Sequence, residues 1–338
     1  MNWVSPSPES SAARTSRTRS WRTTHQLPWS TVRVVDDQVD VLTRINTAEF
    51  LGSLGLGWLK WGSACWQMLC RPAARRISVD MARFDHLFGS MSLRRAARQV
   101  VGELVGELVV CGADRVPLEG PLLIAANHPG LCDVLTILAT VAREDLIIVA
   151  ADYPLLRALR GINSHFLFVP RSPELRRTAL NRIIAHLRSG GAVLLLPAGE
   201  IEPDPAVSHD AIPALDAWSP SLGLIARRVA DITIVPAVVS GALLPNFQRH
   251  PLTWIRRRKS DRQQLGTMLQ VLARASRAAK VRLDYGQPLT GQGLVSQGAT
   301  AQAVTGTVVA SVRTLMLELE HGRAARQAGN RFRRAVAS

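Results

Sequence analysis

The residues in this 338-residue chain whose types and spacing suit chemistry are Asn127-His128-Pro129-Gly130-Leu131-Cys132-Asp133. A helix brings together side chains three or four apart, so a His and an Asp five apart do not share a helical face. A Pro-Gly turn running into a helix start can instead return the Asp to the imidazole. Asp133 would then hold the tautomer of His128 and stabilise its cationic form. His128 would act as general base for an external hydroxyl, because no Ser or Thr occupies the turn to serve as nucleophile. Cys132 is the rival nucleophile, since a thiol at a helix N-terminus has a lowered pKa. A purely structural alternative has His128 closing a strand and Asp133 capping a helix.

The elements that must position this turn can be read on either side of it. Pro121–Ala126 (PLLIAA) is a short, wholly apolar run of strand type, and Leu131–Arg143 has helical character. Leu146–Ala150, His165–Val169, Ala192–Leu196, Ile232–Val239 and Lys280–Asp284 are further strands. Between them, Glu174–Arg188 and Ser221–Val229 read as helices, the first stopped by Gly190-Gly191. Uniformly apolar strands separated by helices predict an α/β fold with a mainly parallel sheet flanked by helices on both faces. In such sheets ligands sit at the carboxyl ends of the strands, which is where the His-Asp turn falls.

Four blocks in this order resemble the glycerolipid acyltransferase superfamily, whose members include 1-acylglycerol-3-phosphate acyltransferases. Asn127–Asp133 resembles its NHx4D block, and Phe166-Leu167-Phe168-Val169-Pro170-Arg171 its second block. Leu196-Pro197-Ala198-Gly199-Glu200 stands where the family has FPEGT, and Ile234-Val235-Pro236-Ala237 resembles the Pro-centred fourth block. The likeness runs from about Gly112 to Leu289. It implies single-step O-acyl transfer, with His128 and Asp133 catalytic and Asn127, Arg171, Pro197, Gly199, Glu200 and Pro236 on the acceptor side. Arg171 would bind the acceptor phosphate, and Gly199 would permit close backbone approach. In the third block the family's Glu position holds Ala198 and Glu200 falls one place on, so either the carboxylate is shifted or the acceptor differs. The implied donor is acyl-CoA or acyl-carrier protein, without a metal or a tightly held cofactor. The implied acceptor is a lysophospholipid, 1-acylglycerol-3-phosphate first. Alternatives are glycerol-3-phosphate, a lipid without a phosphomonoester, or a non-catalytic lipid-binding protein. Backbone N–H groups after Pro129 are candidates for an oxyanion hole.

Composition narrows the remaining classes. With 47% hydrophobic residues the chain is not disordered as a whole, and four cysteines without a CxxC pair exclude a disulfide scaffold. HExxH, GxxxxGK[ST] and GxSxG are all missing, which removes zincin, P-loop and nucleophile-elbow chemistries. The net charge of +15 is almost all Arg and concentrates in residues 1–35, 251–282 and 321–338. Only Trp254 and Phe332 interleave with the later two stretches, so an anionic membrane surface is the expected partner and nucleic acid is not. Phe50–Cys70 is apolar and rich in Trp, with Lys60 at its centre, and reads as a shallow membrane-seated helix, a core helix or a span. Residues 71–110 continue as helical segments. The expected organisation is a disordered basic arm over 1–40, a helical membrane-associating segment over 41–110, an acyltransferase domain over 111–320 and a basic tail over 321–338. Residues 1–35 lack a signal-peptide core, so the expected location is the cytoplasmic face of a membrane.

Overall fold

The computed structural model describes residues 19–21, 36–55, 63–130, 132–295 and 299–336. Its strands are β1 (Arg19–Trp21), β2 (Glu107–Cys111), β3 (Leu122–Ala126), β4 (Leu146–Ala151), β5 (Phe166–Val169), β6 (Ala192–Leu195), β7 (Thr233–Ser240), β8 (Lys280–Tyr285) and β9 (Leu289–Thr290). They form one sheet in the order β1-β2-β8-β7-β3-β6-β4-β5, with β9 beside β7. From β7 to β5 every neighbouring pair is parallel. β8 reverses against β7 and carries β2 parallel to itself.

Alternation along the strands explains why the runs are wholly apolar. Leu122, Ile124 and Ala126 point to one buried cluster, and Leu123 and Ala125 to the other. The helices that cover these faces are α3 (Leu93–Leu104) and α4 (Cys132–Thr140) on the first, with α5 (Pro154–Ala158) beyond β4. The second face is covered by α6 (Pro173–Arg188), the short α7 (Ala211–Ala214) and α8 (Ser221–Arg228). α9 (Pro245–Gln248), α10 (Lys259–Leu272) and α11 (Gly291–Val295) precede the long α12 (Ala301–Val336). α12 closes the second face through Val304, Val308, Val312 and Met316, a stripe at helical spacing.

The N-terminal region departs from the sequence reading in three places. Phe50–Cys70 is not one helix: α1 (Asp36–Ser53) ends inside it and α2 (Ser63–Ser90) begins inside it. Trp58, Lys60 and Trp61 lie outside the described residues. Among the described residues no helix is long and apolar enough to cross a membrane. α1 and α2 form a hairpin latched to the sheet domain by the buried Asp85. Its carboxylate accepts from Gln38 Nε2 (2.7 Å) and from the N–H groups of Gly161 (2.9 Å) and Ile162 (3.1 Å). Second, residues 107–110, expected at the end of a helix, are strand β2. Glu-Leu-Val-Val-Cys is β-branched at its centre, and β8 offers a parallel partner about 170 residues on, which local periodicity cannot see. Third, Arg19–Trp21, inside the arm expected to be disordered, pairs antiparallel with β2 and covers what would be an open sheet edge.

Candidate active site

The chain leaves β3 at Ala126, crosses Asn127–Gly130 and enters α4 at Cys132, so Asp133 is the second residue of a helix that starts at the sheet's carboxyl edge. Gly130 takes φ +142°, a conformation closed to residues with a Cβ. That turn lets Gly130 N–H donate to Asp133 Oδ2 (3.0 Å) while Asp133 N–H donates to Gly130 O (3.2 Å). The same Oδ2 lies 2.6 Å from His128 Nδ1. The Asp133 side chain is 1% exposed and that of His128 27%. An acceptor-only carboxylate on Nδ1 places the imidazole proton there and leaves Nε2 with its lone pair. Burial by itself pushes the His128 pKa down, but the charge of Asp133, its hydrogen bond and the charge of Glu202 outweigh this and raise it above the ordinary imidazole value. The result is a half-buried, oriented and strengthened base.

The third member, Glu202, was not found from the sequence. It follows the third block by two residues, and its buried side chain accepts from His128 N–H (Oε2, 2.8 Å) and from the indole N–H of Trp218 (Oε1, 2.8 Å). Its own N–H donates to His128 O at 2.7 Å, so the two residues hold each other through backbone and side chain together. Gln263 of α10 adds a bridge, with Nε2 donating to Pro129 O (3.0 Å) and to Glu202 O. Burial pushes the Glu202 carboxyl up to about 7, against the hydrogen bonds from Trp218 and from His128 N–H. The only sequence signal was an acid near the departed third block. Nothing local identified which of Glu200 and Glu202 turns inward.

Other residues singled out from the sequence take varied places. Asn127 is fully buried; its Oδ1 accepts from Val239 N–H (2.8 Å) and its Nδ2 donates to Val239 O (2.9 Å). It braces the end of β3 to β7. Pro197 follows β6, the immediate neighbour of β3, and opens a turn closed by Gly199 N–H to Leu196 O at 3.0 Å. Gly199 has φ +69°, and a Cβ there would meet nothing within 4 Å, so backbone conformation and not crowding requires glycine. Glu200 is exposed at the tip of that turn. Pro236 is buried within β7, in register with Ala125, and its carbonyl accepts from Gly286 N–H at 2.7 Å. Arg171 is exposed just beyond β5, on the same sheet edge as His128 but three strand spacings away, roughly 14 Å.

One expectation is corrected. Cys132 is 3% exposed, and burial with the charge of Asp133 pushes its thiol up to about 12, the reverse of the lowering expected at a helix start. A protonated, enclosed thiol is no nucleophile. Of the backbone groups after Pro129, the N–H groups of Gly130, Asp133 and Val134 donate within the protein.

Residues 107–240, from the first residue of β2 to the last of β7, match the family model described as Acyltransferase. No curated protein matches the chain. Among solved structures the chain is similar to the crystal structure of the 1-acyl-sn-glycerophosphate (LPA) acyltransferase PlsC from Thermotoga maritima. The identity is 19% over 83% of this chain and 96% of that one, at a TM-score of 0.40. Residues 107–240 are an acyltransferase domain.

Proposed function

We propose that this acyltransferase moves a fatty acyl group from an acyl-CoA or acyl-carrier-protein thioester to the free hydroxyl of a lysophospholipid, 1-acylglycerol-3-phosphate first among them, at the cytoplasmic face of a membrane. The observation that carries the reading is the 2.6 Å His128 Nδ1–Asp133 Oδ2 pair at the end of β3, on a ring that stays 27% exposed. Nε2 takes the proton of the acceptor hydroxyl as that oxygen attacks the thioester carbonyl. Asp133 and Glu202 stabilise the resulting imidazolium, since both carboxylates favour the charged ring. As the tetrahedral intermediate collapses, the C–S bond breaks and the proton passes from Nε2 to the leaving thiolate. No acyl-enzyme is formed, in keeping with the enclosed Cys132. Arg171, on the same edge, is the cation offered to the acceptor phosphate. A guanidinium fork suits a phosphate, and the flexible side chain shortens the separation from His128.

The test is acyl transfer by the purified protein. Acyl-CoA and acyl-carrier protein are each offered with 1-acylglycerol-3-phosphate, glycerol-3-phosphate and monoacylglycerol, and the products are weighed by mass spectrometry. Diacylglycerol phosphate formed fastest supports the assignment. Turnover confined to monoacylglycerol would remove the phosphate role of Arg171, and no transfer to any acceptor would remove the enzymatic reading.

A further inference from the structure

We infer that the turn over residues 252–258, together with the neighbouring end of the α1–α2 hairpin, is the surface on which the protein seats itself against an anionic lipid bilayer, immediately beside the His128 loop. The surface is argued from its own geometry; only its purpose rests on the lipid-acyltransferase reading.

Pro251–Ile255 form a single tight turn. Thr253 is buried inside it and donates to the carbonyls of Gln248 (3.3 Å) and His250 (2.7 Å), and His250 Nδ1 accepts from Leu252 N–H (3.3 Å). This frame holds three large apolar side chains outward: Leu252, Trp254 and Ile255 are 44%, 72% and 54% exposed. An isolated exposed apolar residue needs no explanation, but three on one hydrogen-bonded turn mark an interaction site. Cations adjoin them. Between Arg249 and Arg262 the chain has six basic residues against the single acid Asp261. Arg257 and Arg258 are exposed, whereas Arg256 is committed to the fold through Asp261 Oδ2 (2.8 Å) and Gly52 O (3.3 Å).

That last bond joins the turn to the hairpin. α1 and α2 run antiparallel, with Asn46 against Ser78 and Gln38 against Asp85, so the start of α2 lies at the same end as Gly52. There Met68 and Leu69 are 79% and 70% exposed. The two elements thus present aliphatic and indole side chains interspersed with Arg at one end of the molecule. Trp settles at the depth of the headgroups, aliphatic side chains gain by entering the acyl boundary, and arginines gain from anionic headgroups. A nucleic acid would repay the cations but not Leu252, Ile255, Met68 and Leu69. α10 starts at Lys259, directly after the turn, and one helical turn further, about 6 Å, Gln263 holds Pro129 O. Docking by this surface therefore sets the catalytic loop next to a lipid acceptor still in its bilayer.

The experiment compares the full chain with the variants Trp254→Ser/Ile255→Ser and Arg257→Gln/Arg258→Gln. Each is sedimented with vesicles of phosphatidylcholine alone and of phosphatidylcholine mixed with phosphatidylglycerol. The apolar pair should weaken partitioning at least about ten-fold on the mixed vesicles. The Arg pair should weaken it roughly thirty-fold there, do little on neutral vesicles, and flatten the salt dependence. Both should keep wild-type turnover on a short-chain acceptor dissolved as monomers, which separates failure of the surface from failure of the enzymatic reading. Brominated lipid should quench the fluorescence of the wild type more than that of Trp254→Phe, by the share of one indole. Unchanged partitioning in both variants, or equal quenching, overturns the inference. Loss of DNA binding in the Arg pair with vesicle binding intact would also overturn it and assign the surface to nucleic acid.

Discussion

Glu202 is a buried carboxylate that the active-site loop needs and the fold does not, and this conflict can be measured. Its carboxyl is pushed up to about 7 from an ordinary value of 4.5, chiefly by burial. A raised folded-state pKa means stability that is fully present below the unfolded value and is lost as pH rises through the folded one. That rise corresponds to about 3 kcal/mol, lost between roughly pH 4.5 and pH 7. Glutamine at 202 cannot ionise, but it offers one acceptor oxygen where the carboxyl offers two, so either His128 N–H or the Trp218 indole N–H loses its partner at every pH. Glu202→Gln should therefore cost about 1–3 kcal/mol at pH 4 and recover about 3 kcal/mol relative to the wild type between pH 4 and pH 8, read from denaturant midpoints at both pH values. Activity should move the other way. The Glu202 charge is one of the influences that raise the His128 pKa, so its removal weakens the base and shifts the acid limb of the kcat profile to lower pH. A stability difference that moves in favour of the variant as pH rises, together with a loss in kcat, marks a positioning residue. A stability difference that does not change with pH, or an unmoved acid limb, would refute the argument.

His128→Ala should lower transfer by about two to four decades with the denaturation midpoint little changed, and wild-type turnover would remove the base. In the wild type, kcat should fall as pH drops through a value above the ordinary imidazole 6.5, because protonation of Nε2 removes its lone pair. Cys132→Ser should leave turnover near wild type, and thiol reagents aimed at Cys132 should not inactivate the folded enzyme, given a thiol pKa of about 12. Arg171→Ala should cost roughly ten- to two-hundred-fold in kcat/KM on 1-acylglycerol-3-phosphate and much less on monoacylglycerol, with partial rescue by Lys; equal losses would make Arg171 structural. Asp85→Ala should destabilise the protein by about 3–5 kcal/mol, because it strands Gln38 and the N–H groups of Gly161 and Ile162 in the interior; a cost under about 1 kcal/mol would mean that the hairpin is not latched there.

What the sequence by itself determined is what depends on neighbours along the chain. The wholly apolar runs of β3, β4, β6 and β7 implied a sheet covered on both faces, and the interleaved helices made it parallel from β7 to β5. The His128–Asp133 pair was legible because its five-residue spacing and the Pro-Gly turn are a closed local geometry, completed by reciprocal bonds between Gly130 and Asp133. Tertiary structure decided what depends on distant segments and on exclusion of water. Glu202 reaches His128 across 74 positions, and Asn127 reaches Val239 across 112, so no spacing rule could pair them. β2 is a strand because β8 lies beside it, although its residues also fit the end of a helix. The thiol of Cys132 is inert because the packed loop around it excludes water, while its place at a helix start taken alone argued for the opposite. Periodicity and turn chemistry act over a few residues and are written in order along the chain. Burial, ionisation and cross-strand contact arise only when segments far apart in that order are brought within a few ångströms of one another.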